Sequence, residues 1–298
     1  MQHRIGPVFS ACVGIAVLSC PLLIPADKII FRAFEAFLCI ELMFKMLDYS
    51  RHERHRGVGV DRFVDYLRFL IPFPPMLVVF RRRERRLPKD RPCRREAIRV
   101  LLGAGLFATG FVLVDVASHI PAVRSSFPLD HAAKVVIFIV TIEALSNMVY
   151  GVERLAGFDT TPVIQNGFLS RTVAEFWCRY NTRVHSWLDY NVFRPAGGWR
   201  APVRAVLLTF FVSAVLHELM FGIATSRFDG YQFAFFMLQA PAVLASRPLH
   251  RFAKRTGIIG KAVAHSITVI WMSVTSVLFF HGVNRVFPFF YASEPWLP

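Results

Sequence analysis

Seven stretches of this chain stay apolar over roughly the thickness of a bilayer. They run over 7–24, 29–48, 98–117, 131–150, 203–224, 231–247 and 262–284. A helix rises about 1.5 Å per residue and needs about 20 apolar residues to cross the hydrocarbon core. Inside lipid every backbone N–H and C=O must be paired by the protein itself, so such a chain folds as helices. The composition agrees: 54% of the 298 residues are hydrophobic and only 18% are charged. Ordinary soluble domains carry about 25% charged residues. The expected fold is all-α, a polytopic transmembrane helical bundle of about seven spans, forming a single integral membrane domain over 1–298. Disorder, a collagen-like rod and a disulfide-stapled secreted domain are excluded by the same composition.

The charges give the topology. Within 29–48, Arg32, Glu35, Glu41 and Lys45 interrupt an apolar run, and Glu41 and Lys45 are four apart, so they can pair on one helix face. Charges at that depth must face protein or a wet cavity. Residues 62–80 contain Pro72, Pro74 and Pro75 and have basic flanks on both sides, Arg51, Arg54 and Arg56 before and Arg81–Arg86 after. A single crossing would put those flanks on opposite faces. The expectation is therefore a broken, re-entrant segment buried against protein. Arg4, fourteen basic residues in 51–97, six in 151–202 and five in 247–261 then fall on one side, against Lys28, Arg124, Arg227 and Arg285 on the other. By the positive-inside rule the N-terminus is cytoplasmic and the C-terminus lies on the opposite side. The membrane is the plasma or inner membrane in a bacterium and the endoplasmic reticulum in a eukaryote. The net charge of +15 is read as contact with anionic lipid headgroups, and nucleic acid is not an expected partner.

Cys12, Cys20, Cys39, Cys93 and Cys178 form no CxxC or zinc spacing. The three inside apolar runs read as small buried hydrophobes. The longest polar connection, about 151–202, is rich in aromatics and reads as amphipathic helices on the cytoplasmic face. Within Phe176–Trp187, helical spacing puts Trp177, Tyr180 and Val184 on one face, with Asn181 and His185 on an adjacent one.

The oddest pair is His217-Glu218, inside FFVSAVLHELMFGIA. Thirteen residues separate His217 from Arg204, which puts the pair about 20 Å into the membrane at about 1.5 Å per residue. Ionisable groups at that depth are costly unless they have a task or a partner. One reading is a general base in a water-accessible chamber, since a neutral imidazole is the suitable base near pH 7. The other is a packing histidine hydrogen-bonded to a neighbouring helix. Phe221 stands where HExxH would need its second histidine, so a metalloprotease is excluded. His52 with His55 lacks further ligands, and no metal is expected. Gln239 is the strongly polar side chain in the middle of its span and needs partners there, in a substrate chamber or in a bond between helices. His265 and His281, near the ends of the last helix, read as packing or interfacial residues.

Three segments together resemble the membrane-bound O-acyltransferase superfamily, in particular its wax synthase and diacylglycerol and sterol O-acyltransferase branches. Ser170–Pro195, SRTVAEFWCRYNTRVHSWLDYNVFRP, resembles the family's FW-x-x-WN-x-x-VH-x-W helix. FFVSAVLHE at 210–218 resembles the helix of the catalytic histidine, and MLQAP at 237–241 resembles the next helix with its chamber glutamine. The motif-bearing core covers about 165–250. The preceding PVIQNGFLSRTVAEFW looks like the shorter wax-synthase pattern.

The resemblance implies an enzyme that transfers an acyl group from acyl-CoA, a co-substrate rather than a cofactor, to a hydroxyl-bearing lipid or small-molecule acceptor. A long-chain alcohol is the favoured acceptor. His217 would take the hydroxyl proton and Asn181 would hold the acceptor, orient His217 or donate to the oxyanion. Gln239, Trp177, His185, Tyr180 and Glu218 would lie against substrate, with Glu218 structuring its helix or bonding His217. Arg179, Arg183 and Arg194 are the expected contacts for the coenzyme phosphates. A transporter or channel with the same polar residues along its path, and a catalytically silent lipid-binding homologue, are the rival expectations.

Overall fold

The computed structural model describes residues 7–56, 70–71, 87–88 and 93–292. No β-strand occurs among the described residues. Helices run through all seven apolar stretches: α1 (Pro7–Ser19), α2 (Ile29–Arg56), α3 (Arg94–His119), α4 (Phe127–Leu155), α7 (Pro202–Thr225), α8 (Tyr231–Arg255) and α9 (Gly257–Val286). Two short helices, α5 (Val173–Arg179) and α6 (Thr182–Leu188), lie between α4 and α7. Among the described residues, four helices are long and apolar enough to cross a membrane: α3, α4, α7 and α9. The expected count of seven is therefore supported for these four. The others fall short for physical reasons. α1 is 13 residues long and gives way at Pro21 to a tight turn over Cys20–Leu23. α2 carries Arg32, Glu35, Glu41 and Lys45 within its apolar run, and α8 runs on through Pro241 and Pro248 to a basic end at Lys254 and Arg255. Apart from Leu70 and Ile71, the segment expected to be re-entrant lies outside the described residues.

The chain forms two compact units, Met1–Arg83 with Val215–Gly230, and Glu84–Ala214 with Tyr231–Pro298. Helix α7 thus contributes its first half to one and its second half to the other.

In the first unit α1 packs on α2. The charges of α2 face protein as expected, with Arg32, Glu41 and Lys45 all buried. Glu41 and Lys45 pair at 3.8 Å, and Lys45 also donates to the carbonyl of Ile71. Of the three cysteines expected to be buried only Cys39 is; Cys12 and Cys20 are exposed.

In the second unit α3 and α4 lie against each other along their length, and α8 packs on α9. Glycines allow the close approach of α3 to α4: a Cβ at Gly103 would lie 2.9 Å from the carbonyl oxygen of Ala144 and from Met148. At one end of α4, Asp130 and Lys134 form a fully buried pair at 3.1 Å. Lys134 also donates to Ser118 Oγ and the Val114 carbonyl, and Asp130 accepts from the backbone of Ala292. The apolar core is built by Val206, Phe210 and Ala214 of α7 against Phe235, Phe236 and Ala240 of α8. The outward faces of the spans stay apolar, with Leu101, Leu102, Val136 and Ile270 exposed. A soluble protein would seldom expose such surface, whereas lipid covers it without cost.

Candidate active site

The site is best built outward from α4, whose one face carries Glu143, Ser146, Tyr150 and Glu153 at helical spacing. Glu143, Ser146 and Glu153 hold the segment that leads into α5. The backbone N–H of Gly167 donates to Glu143 at 3.1 Å, and that of Ile164 donates to Ser146 Oγ at 2.8 Å. Glu153, fully buried, accepts from Thr160 Oγ1 at 2.6 Å and receives both terminal nitrogens of Arg183 at 2.6 Å. Arg183 donates further to the Thr161 carbonyl. A buried bidentate guanidinium–carboxylate pair of this kind fixes geometry, and loss of either partner strands a charge in a dry site. Arg183, expected on a coenzyme phosphate, is thus committed to Glu153 and only 5% exposed.

Helix α5 starts at Thr172, whose Oγ1 accepts from the N–H of Glu175, while the Glu175 carboxylate accepts from the N–H of Arg171. The first bond satisfies a donor that the first turn leaves unpaired, and the second ties the residue before the cap to the helix. Two neighbours complete the mooring. Ser246 of α8 accepts from the N–H of Ala174, and His265 of α9 meets the carbonyl of Ser170 at 2.9 Å. His265 is a packing residue, as expected. So is His281, whose ring lies 4.2 Å from that of Tyr231 and whose Nε2 accepts from Arg285.

Trp177 projects into the apolar core, its ring centroid 5.7 Å from Phe210, 5.6 Å from Phe236 and 6.3 Å from Phe235. Its indole N–H is buried there without an acceptor among the described residues. Tyr180 stacks on Phe176 at 5.1 Å and meets Trp177 edge-on, and burial pushes its hydroxyl pKa up to about 12. The aromatic face expected for Trp177 and Tyr180 is therefore present.

The single helix expected over Phe176–Trp187 is not. It breaks at Asn181, which takes a left-handed conformation (φ 52°) between α5 and α6. Asparagine tolerates that region better than most residues, and its side chain caps the next helix. Asn181 Oδ1 accepts from the N–H of Val184 at 3.3 Å. The break is braced by Thr182 N–H to the Val163 carbonyl and Gln165 N–H to the Arg179 carbonyl. With Oδ1 on the cap, the part of Asn181 able to donate to a substrate is its side-chain NH2.

Beyond the break, His185 is exposed and its Nε2 lies 3.6 Å from Cys178 Sγ. Arg179 pairs with Glu175 at 2.6 Å, and Arg194 pairs with Asp189 at 2.7 Å. Gln239 is fully buried in the bundle. Its NH2 donates to the Phe235 carbonyl and to Thr275 Oγ1, and its carbonyl accepts from the Trp271 indole, all at 3.1 Å. Its amide links α8 to α9, the bond-between-helices alternative of the sequence.

His217 and Glu218 lie in the other unit, on the second half of α7, and both are half-buried. Glu218 Oε1 accepts from the N–H of Gly230 at 2.8 Å and so closes the turn that follows α7. Ser226, at φ 56° in that turn, accepts from Arg32 of α2 at 2.8 Å. Glu218 thus ties α7 to the turn that follows it. Sequence reasoning missed Glu143, Ser146, Glu153 and Ser246. The available signal was the helical spacing of Glu143, Ser146 and Glu153 on a mostly apolar helix.

The family model of membrane-bound O-acyltransferases matches residues 132–281, half of the chain. The chain belongs to the membrane-bound O-acyltransferase family. The match contains Trp177, Asn181, His217 and Gln239 together. The probable sterol O-acyltransferase 2 of Schizosaccharomyces pombe is 30% identical over 105 residues, 35% of this chain and 22% of that protein. Diacylglycerol O-acyltransferase 1C of Glycine max is 31% identical over 113 residues, 38% of this chain and 22% of that protein. Diacylglycerol O-acyltransferase 1 of Arabidopsis thaliana is 30% identical over 90 residues, 30% of this chain and 17% of that protein. The chain thus matches less than a quarter of the length of each of these relatives.

Proposed function

We propose that this membrane-bound O-acyltransferase transfers an acyl group from acyl-CoA to the hydroxyl of an apolar acceptor, with His217 as general base. The observation that carries the reading is the family match over 132–281, a range that contains the Trp177–His185 segment, the His217 helix and the Gln239 helix. In the reaction, His217 takes the acceptor's hydroxyl proton as its oxygen attacks the thioester carbonyl. The Asn181 NH2 donates to the oxygen on which charge develops. Trp177, with its buried N–H and aromatic walls, lines the acyl path. Gln239 acts one step removed, by aligning α8 with α9. Coenzyme A departs as the free thiol, and no metal or cofactor takes part.

Arg179 and Arg194 are the cations for the coenzyme phosphates, because a phosphate can displace Glu175 and Asp189 at the surface. The buried pair of Arg183 with Glu153 supports leaving it out of that role. The motif side is the cytoplasmic side, where acyl-CoA is soluble, and the N-terminus lies there too. Sterol and diacylglycerol acyltransferases among the relatives point to an apolar acceptor. The wax-synthase-like stretch 162–177 favours a long-chain alcohol. The test is mass spectrometry of products from purified protein supplied with one acyl-CoA and an equimolar panel of hexadecanol, cholesterol and dioleoylglycerol. The expected product is the alkyl ester, and ester on the sterol or glyceride alone would reassign the acceptor. Free fatty acid alone, with no ester, would overturn acyl transfer to an alcohol.

A further inference from the structure

The reaction above makes no use of the Cys178 thiol. Cys178 is exposed on the last turn of α5, and its Sγ lies 3.6 Å from His185 Nε2 on α6. On one continuous helix residues seven apart would be separated by about 10 Å along the axis. The left-handed break at Asn181 removes that separation and brings thiol and imidazole into contact. Asp189 stands one helical turn beyond His185, where its carboxylate favours the protonated imidazole. Desolvation holds His185 below the ordinary imidazole pKa, so the ring is neutral and able to accept a proton near pH 7. A base in reach can take the thiol proton as the sulfur attacks, so that no standing thiolate is needed. Arg179 and Arg194, the cations proposed for coenzyme phosphates, sit next to Cys178 and on Asp189 respectively.

We infer that Cys178 is a self-acylation site, which takes an acyl chain from acyl-CoA while His185 receives the thiol proton. The inference rests on the proposal that acyl-CoA is the donor. The Cys178 sulfur attacks the thioester carbonyl, a new C–S bond forms to Cys178, and the C–S bond to coenzyme A breaks. The proton passes from Cys178 to His185 Nε2 and from there to the departing coenzyme thiolate. One thioester replaces another, so no further reactant is needed and excess donor drives the exchange. The acylated residue gives the α5–α6 pair a covalent lipid chain.

The test uses the full chain in detergent with alkyne-tagged palmitoyl-CoA, a fluorophore coupled to the alkyne, and neutral hydroxylamine to cleave thioesters. Ester formation is followed in the same tubes. The expected result is hydroxylamine-sensitive label on the Cys178 peptide, reduced to background in Cys178→Ser. His185→Ala slows labelling about tenfold or more, and free imidazole restores it, which a merely structural role for His185 would not give. Label that survives Cys178→Ser, or no label at all, overturns the inference. Ester formed without label overturns self-acylation alone, and label without ester keeps it while removing the proposed ester reaction.

Discussion

Segment 157–194, which carries Trp177, Asn181 and His185, and segment 215–230, which carries His217, are held by different means. The first is moored to α4, α8 and α9 through Glu143, Ser146, Glu153, Ser246 and His265, with a buried ion pair at its centre. The second is braced within its own unit by the Arg32–Ser226 and Glu218–Gly230 bonds. Helix α7 passes from one compact unit into the other between Ala214 and Val215, three residues before His217. The contrast teaches that the motif segment is moored to three helices, whereas the turn after the histidine's helix is tied to α2 through Arg32 and Ser226.

The sharpest way to break this contrast is at Glu153. Glu153→Ala leaves Arg183 buried and uncompensated and should cost about 3–5 kcal/mol, read as a fall in the thermal unfolding midpoint in detergent. Glu153→Leu combined with Arg183→Met should recover most of that loss. Gly103→Leu should come next, at about 1–3 kcal/mol, by forcing α3 away from Ala144 and Met148. In the other unit, Ser226→Ala removes one hydrogen bond from a charged donor and should cost about 1.5–3 kcal/mol, with tryptic cleavage in 215–230 rising in proportion. Asn181 separates structure from chemistry. Asn181→Gly suits the left-handed backbone and should cost only about a few tenths of a kcal/mol, against about 0.5–2 for Asn181→Ala. Both should lower kcat alike, with KM for acyl-CoA little changed, because both remove the donating amide. The smallest effect is on Cys178. Desolvation, then Glu175 and Asp189, raise its thiol pKa, so iodoacetamide at pH 8 should alkylate it more slowly than N-acetylcysteine, with the gap closing as pH rises.

The spanning helices α3, α4, α7 and α9 were legible because apolar runs of this length have few alternatives. The burial of Arg32, Glu41 and Lys45 followed from the cost of charge in lipid, and the aromatic face of Trp177 and Tyr180 followed from helical spacing. Three features were not legible. The break at Asn181 is a backbone choice that periodicity across 176–187 conceals. The Glu153–Arg183 pair joins residues 30 apart in sequence, and only the packing of α6 on the loop after α4 brings them together. The commitment of Gln239 to Trp271 and Thr275 depends on the register between α8 and α9, which spacing within one helix does not encode.

The base at position 217 is tested most directly by acceptor-dependent release of coenzyme A thiol from purified wild type and His217→Ala at matched folding. A loss of about a hundredfold or more in turnover, with the unfolding midpoint held, is the predicted result. Undiminished thiol release and ester yield in His217→Ala would contradict it.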